Sequence, residues 1–125
     1  MKPIAIVVAC VALVLSFACK RGEDNYIQHK VDLTGASPQE AYVALNCVKC
    51  HGPDRQGQRT APKLTGIADR WSEDELITYL RNPMAYQAKN PRLAYLAERF
   101  PIEMPAYPHT DEQALRQLAS WLLSN

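Results

Sequence analysis

The stretch ALNCVKCHGPDRQG, residues 44–57, places two cysteines three positions apart with a histidine directly after the second. The chain holds four cysteines and three histidines, so Cys47, Cys50 and His51 draw half of the first and a third of the second into one short segment. Three chemistries use such a cluster: a zinc site, a redox-active dithiol and a covalently held haem.

Each makes its own demand on the rest of the chain. Structural zinc takes four thiolate, imidazole or carboxylate ligands. Cys47, Cys50 and His51 supply three, only His109 or an acid remains to complete the set, and no second cysteine pair follows. A redox dithiol sits after a strand at a helix N-terminus, where the dipole lowers the thiol pKa. Here the pair is expected at the end of a helix, and no strand pattern precedes it. A porphyrin fits better. Two thiols three apart share one face of a helix, so both can add to the vinyl groups along one ring edge. The next residue, His51, can then place its imidazole on the iron. C-x-x-C-H is the pattern of c-type haem attachment, which points to one covalent haem c with its iron.

With His51 on one side of the iron, the opposite axial position separates an electron carrier from a haem that binds small molecules. Met84, Met104, His109 or an open site can occupy it. Met104 lies 53 residues beyond His51 in PIEMPAYP, a proline-stiffened segment that leaves a side chain free to point inward. Met84, in RNPMAY, reads as core filler.

These residues need elements to position them. Ser37-Pro38-Gln39-Glu40 has the capping-box pattern with proline at the first helical position. A helix is expected to start there and to run through Tyr42, Val43, Leu45 and Asn46 toward Cys47, breaking near Gly52-Pro53. Residues 52–70 then read as a long loop, of the kind that is functional or wraps something. Ser72-Glu73-Asp74-Glu75 repeats the capping signal, with Leu76, Ile77 and Leu80 as the buried face and Pro83 ending the helix after Asn82. Asn90-Pro91 starts a short helix through Leu93, Leu96 and Phe100. Pro101, Pro105 and Pro108 hold an extended stretch. Thr110-Asp111-Glu112-Gln113 caps the last helix, whose apolar stripe is Leu115, Leu118, Trp121 and Leu122. The fold class is all-α, with about four short helices and long loops around one haem.

The N-terminal region reads as targeting. Lys2 is followed by an apolar run over residues 4–18, interrupted by Ser16 and closed by Lys20-Arg21, which is the form of an export signal. A membrane-spanning helix needs about 20 apolar residues, so the run is short for an anchor. Ser16-Phe17-Ala18 suits ordinary signal cleavage. The cysteine that follows, Cys19, resembles the lipidated residue of a bacterial lipoprotein signal, although Phe17 is bulky and Leu15 lies one place early. Cys10 lies within the apolar run. The expected organisation is an export signal over 1–19, a polar tether over 20–36 containing a solvated His29, and one folded domain over 37–125. Lys2 is the only one of 14 Lys and Arg upstream of Cys19, which leaves 13 against 13 Asp and Glu and excludes a strongly basic, nucleic-acid-binding domain.

The arrangement resembles the class I, monohaem cytochromes c of the small bacterial type. The resemblance covers Ser37 to Ser124 and rests on Cys47-Val48-Lys49-Cys50-His51-Gly52, Ala61-Pro62-Lys63-Leu64-Thr65-Gly66, Met104-Pro105-Ala106-Tyr107, and the last helix with Trp121. It implies haem bonded to Cys47 and Cys50, axial ligation by His51 and Met104, and a carbonyl of Pro62 on the other ring nitrogen of His51. It also implies a non-enzymatic role: one-electron transfer at the periplasmic face of a bacterial membrane, between redox protein partners; the lipoprotein-like signal separately implies Cys19 as a lipid anchor. Two other roles stay open. One is a permanently bound haem subunit of a larger redox complex; the other is an enzyme or sensor with a labile sixth ligand. The chain departs from the family in the roughly twenty residues between Asn82 and Met104, which carry an extra helix. Lys49, Arg55, Arg59 and Lys63 against Asp54 give the attachment loop a local charge of +3 (4 − 1), suited to an acidic rim on a partner.

Overall fold

Serine, asparagine and aspartate caps set the helix boundaries in the computed structural model, which describes residues 31–124. The readings of the export signal, Cys10, Cys19 and His29 fall outside the described residues. Helix α1, Pro38–Ala44, opens on Ser37, whose hydroxyl accepts the Glu40 N–H while the Glu40 carboxylate accepts the Ser37 N–H at 2.8 Å. The expected continuous helix into Cys47 does not form. Leu45 closes α1, and Asn46 turns left-handed at φ 61°, a conformation that asparagine tolerates better than most residues. A new helix, α2, Cys47–His51, starts after this turn. Cys47 therefore begins a helix instead of ending one.

The loop expected over residues 52–70 contains a 3-10 turn, Ile67–Asp69, and an isolated bridge between Gln58 and Ala61. Helix α3, Glu73–Arg81, carries the second capping box, Ser72 with Glu75. Pro83 ends α3 as expected, and it also begins a further helix, α4, Pro83–Gln87, capped by the Asn82 side chain on the Ala85 N–H at 3.1 Å. Helix α5, Pro91–Arg99, is capped by Asn90. Helix α6, Glu112–Leu123, is capped by Asp111, not Thr110, because its carboxylate reaches the Ala114 N–H at 3.0 Å. The all-α class holds, and no strand occurs among the described residues. There are six α-helices there instead of about four, the extra two arising from the break at Asn46 and from α4.

Helix α6 packs across α1 and α3. Its stripe buries Leu115, Leu118, Ala119 and Leu122 against Tyr42, Leu45, Leu76, Ile77 and Leu80. Leu33 joins this core, so the chain is already packed within the stretch read as a tether. Met84 is no core filler: half of it is exposed. Pro83 takes the buried position at the start of α4, and the next helical residue lies about 100° around the axis. The only helical neighbour of α5 among the described residues is α4. No described helix is long and apolar enough to cross a membrane.

Candidate functional site

The single turn of α2 puts Cys47 and Cys50 on one face with His51 beside them, and all three line a cavity of about 610 Å³. Pro62 and Met104 line it as well, so the structure brings together all five residues singled out in the sequence. His109 is exposed and lies outside the lining, whereas Met84 is among the lining residues. Leu76, Leu80 and Leu118 supply apolar wall from the core. Leu93, Leu96 and Phe100 of the extra segment close another side.

His51 is the one buried polar residue among the described residues, at 6% exposure. Its Nδ1 lies 2.7 Å from the Pro62 carbonyl. A carbonyl only accepts, so Nδ1 carries the hydrogen and Nε2 keeps its lone pair. Burial holds the imidazole below its ordinary pKa, opposed in part by the Pro62 bond, so the ring is neutral and ready to coordinate.

Four bonds shape the loop that presents Pro62. The Gly57 N–H donates to the His51 carbonyl at 2.8 Å, and the Gln58 N–H to Ala61 at 2.9 Å. The Leu64 N–H donates to Arg55 at 2.8 Å, and the Thr60 hydroxyl to Cys50 at 3.2 Å. Gly57 has φ +80°, and a Cβ there would meet the backbone of Pro62 and Lys63 at 2.8 and 2.5 Å. Only glycine lets these strands of loop approach so closely.

Met104 is half-buried on the extended segment, which two residues hold against the helices. Tyr107 donates its N–H to Leu80 at 2.9 Å and its hydroxyl to the Leu45 carbonyl at 2.8 Å. Arg81 donates to the Pro108 carbonyl at 2.8 Å. The sequence named neither Gly57 nor Tyr107 as a site residue, although both stand in segments it singled out. Nothing local says which carbonyl a tyrosine hydroxyl 62 positions away will reach.

The competing chemistries fare differently than the sequence argued. Cys47 does sit at a helix start, yet burial pushes its thiol up to about 11, against any effect of the helix dipole. A buried neutral thiol is a poor redox nucleophile. For zinc, no three His, Cys, Asp or Glu side chains converge as an ion site among the described residues. The donor set does fit a porphyrin. Paired thiols, a neutral imidazole and a thioether surround an apolar cavity within the roughly 300–1,000 Å³ typical of cofactor sites.

Of the four cations in the attachment loop, Lys49, Arg59 and Lys63 are exposed. Arg55 is half-buried, with its guanidinium 4.2 Å from the Trp121 ring centre.

The sequence model of the Cytochrome c family matches residues 36–125. No curated protein and no solved structure matches the chain. With a helical fold, a C-x-x-C-H turn facing an apolar cavity and a family match across most of its length, the chain belongs to the cytochrome c family, proteins that bind a covalent c-type haem and carry electrons.

Proposed function

We propose that Cys47 and Cys50 hold the haem as thioethers, that His51 and Met104 are its axial ligands, and that the protein is a one-electron carrier. The observation that carries this reading is His51: a lone buried imidazole whose Nδ1 is committed to Pro62 at 2.7 Å, leaving Nε2 for a metal beside two thiols. The two thiols would hold the group through thioether links, whose formation needs no oxidant. The Pro62 carbonyl fixes the ring of His51 and raises its donor strength. The clamp of Tyr107 on Leu45 and Leu80 holds the Met104 segment over the cavity. Bound haem supplies a ferrous/ferric couple, and a thioether ligand favours the ferrous state and a moderately positive potential.

On the same reading the protein works at the periplasmic face of a bacterial membrane, exported through residues 1–19 and anchored through a lipidated Cys19. There it passes electrons between redox proteins. Lys49, Arg59 and Lys63 offer exposed positive charge to an acidic partner rim, as transient redox contacts use.

Met104→Ala tests the ligand set. The oxidised protein should lose the weak far-red sulfur-to-iron band, its midpoint should fall, and the reduced protein should bind carbon monoxide. A variant with parental spectrum and potential removes Met104 from the assignment.

A further inference from the structure

We propose that Arg55 is a positioning residue for the His51–Pro62 hydrogen bond and thereby tunes the haem potential; this rests on His51 being the axial ligand. Arg55 has φ 61°, a left-handed conformation rare for a long side chain. Such strain persists where surroundings over-determine it, and it clusters at functional sites.

The surroundings of Arg55 form two closed circuits that meet at this residue. In the first, the Tyr42 hydroxyl donates to the Gly52 carbonyl at 2.7 Å, and the Tyr42 ring meets Trp121 edge-on at 5.6 Å. The Arg55 guanidinium lies 4.2 Å from that same indole ring, with Nη1 donating to the Trp121 carbonyl at 3.5 Å. The Arg55 N–H returns to Gly52 at 3.3 Å. In the second, the Arg55 carbonyl accepts the Leu64 N–H at 2.8 Å and so closes residues 55–64 into a ring of chain. Pro62 lies inside that ring. The side chain of Arg55 thus ties the base of the Pro62 loop to α6, while its backbone holds the far end.

This alters the reading of the loop's charge. A cation stacked on indole is engaged within the molecule, and Lys49, Arg59 and Lys63 remain as the exposed charges facing a partner. Loosening the clamp weakens the Nδ1–H···O bond, and the imidazole then donates less strongly. A weaker donor stabilises ferric iron less, so the midpoint potential rises.

Two variants test it in the haem-loaded protein. Arg55→Asn keeps a residue that tolerates the left-handed backbone but removes the stack. Arg55→Lys keeps the charge but lacks the planar face. Both should retain covalent haem and the far-red band, raise the midpoint potential, and speed hydrogen exchange of His51 Nδ1–H in the reduced, diamagnetic protein. Trp121→Leu, which removes the other half of the stack, should move both readouts the same way. Parental potential and exchange in Arg55→Asn and Arg55→Lys overturn the proposal. A parent protein whose His51 ring protons lack haem-shifted resonances overturns the axial assignment itself, and the proposal with it.

Discussion

Gly57 offers the sharpest test of how the site is built, because replacing it with alanine adds one methyl where the structure leaves no room. The new Cβ would stand 2.5 Å from the Lys63 nitrogen, 2.8 Å from the Pro62 carbonyl carbon and 3.0 Å from the Ala61 oxygen. All three are backbone atoms, so no flexible side chain can swing aside. To reach ordinary contact at 3.4 Å from the Lys63 nitrogen, that peptide must retreat by 0.9 Å (3.4 − 2.5). A hydrogen bond to a carbonyl has a working window of only about 2.7–3.2 Å. The displaced peptide is the one whose oxygen holds His51. At φ +80° alanine also costs about 1–2 kcal/mol in backbone conformation, and crowding adds about 1–3 kcal/mol. Gly66 is the control: it has φ +70°, and nothing lies within 4 Å of where an alanine methyl would stand, so Gly66→Ala meets the conformational cost alone. Urea denaturation of the two haem-loaded variants should give losses of about 2–5 and about 1–2 kcal/mol, at unchanged slope. Gly57→Ala should also shift the midpoint potential, and Gly66→Ala should not. Equal losses from the two substitutions, with no change in potential, would refute the close-approach argument.

Tyr107→Phe removes the hydroxyl that bonds Leu45 at 2.8 Å and should cost about 1 kcal/mol while weakening the far-red band, read by denaturation and absorption. Asn46→Gly should be close to neutral in a melting experiment, whereas Asn46→Val, β-branched at φ 61°, should lose about 1–2 kcal/mol. The carboxyls of Glu40, Glu75 and Glu112 are held below their ordinary range, by Ser37, by Ser72, and by Arg81 with Arg116 respectively. Because the folded values are the lower ones, their stabilisation is complete above the unfolded value of about 4.3 and disappears as pH falls through the folded values. Stability against denaturant should therefore drop below about pH 4, and the Gln variants should flatten that limb. Electron-transfer rates with an acidic redox partner should fall with ionic strength, and Lys49→Glu or Lys63→Glu should lower the low-salt rate; salt-independent rates would dispose of the basic docking surface.

What the sequence makes legible follows from how local each signal is. The capping boxes at Ser37 and Ser72 and the stripe Leu115, Leu118 and Leu122 are set by residues within one or two turns, and all three appear in the fold. The C-x-x-C-H turn likewise carries its own geometry. Asn46 is legible only as a helix residue, because its left-handed turn is selected by where α1 and α2 must each pack. Pro83 signals the helix it ends but not the one it begins, since a proline at a first helical position satisfies both. Residue type alone assigns Met84 to the core, and its neighbour Pro83 takes that place. Arg55 shows its charge in the sequence but not the indole beneath it, which lies 66 positions away. Tyr107 and Gly57 act through partners that only the folded chain brings near.

The central claim is that haem is bonded to the chain through Cys47 and Cys50. Acidified-acetone extraction of the native protein, followed by intact mass and peptide mapping, tests it most directly. The red colour should stay with the polypeptide, and the peptide carrying residues 47–50 should be heavier by the mass of one haem. Colour leaving with the solvent, and two unmodified thiols open to alkylation at Cys47 and Cys50, would contradict it.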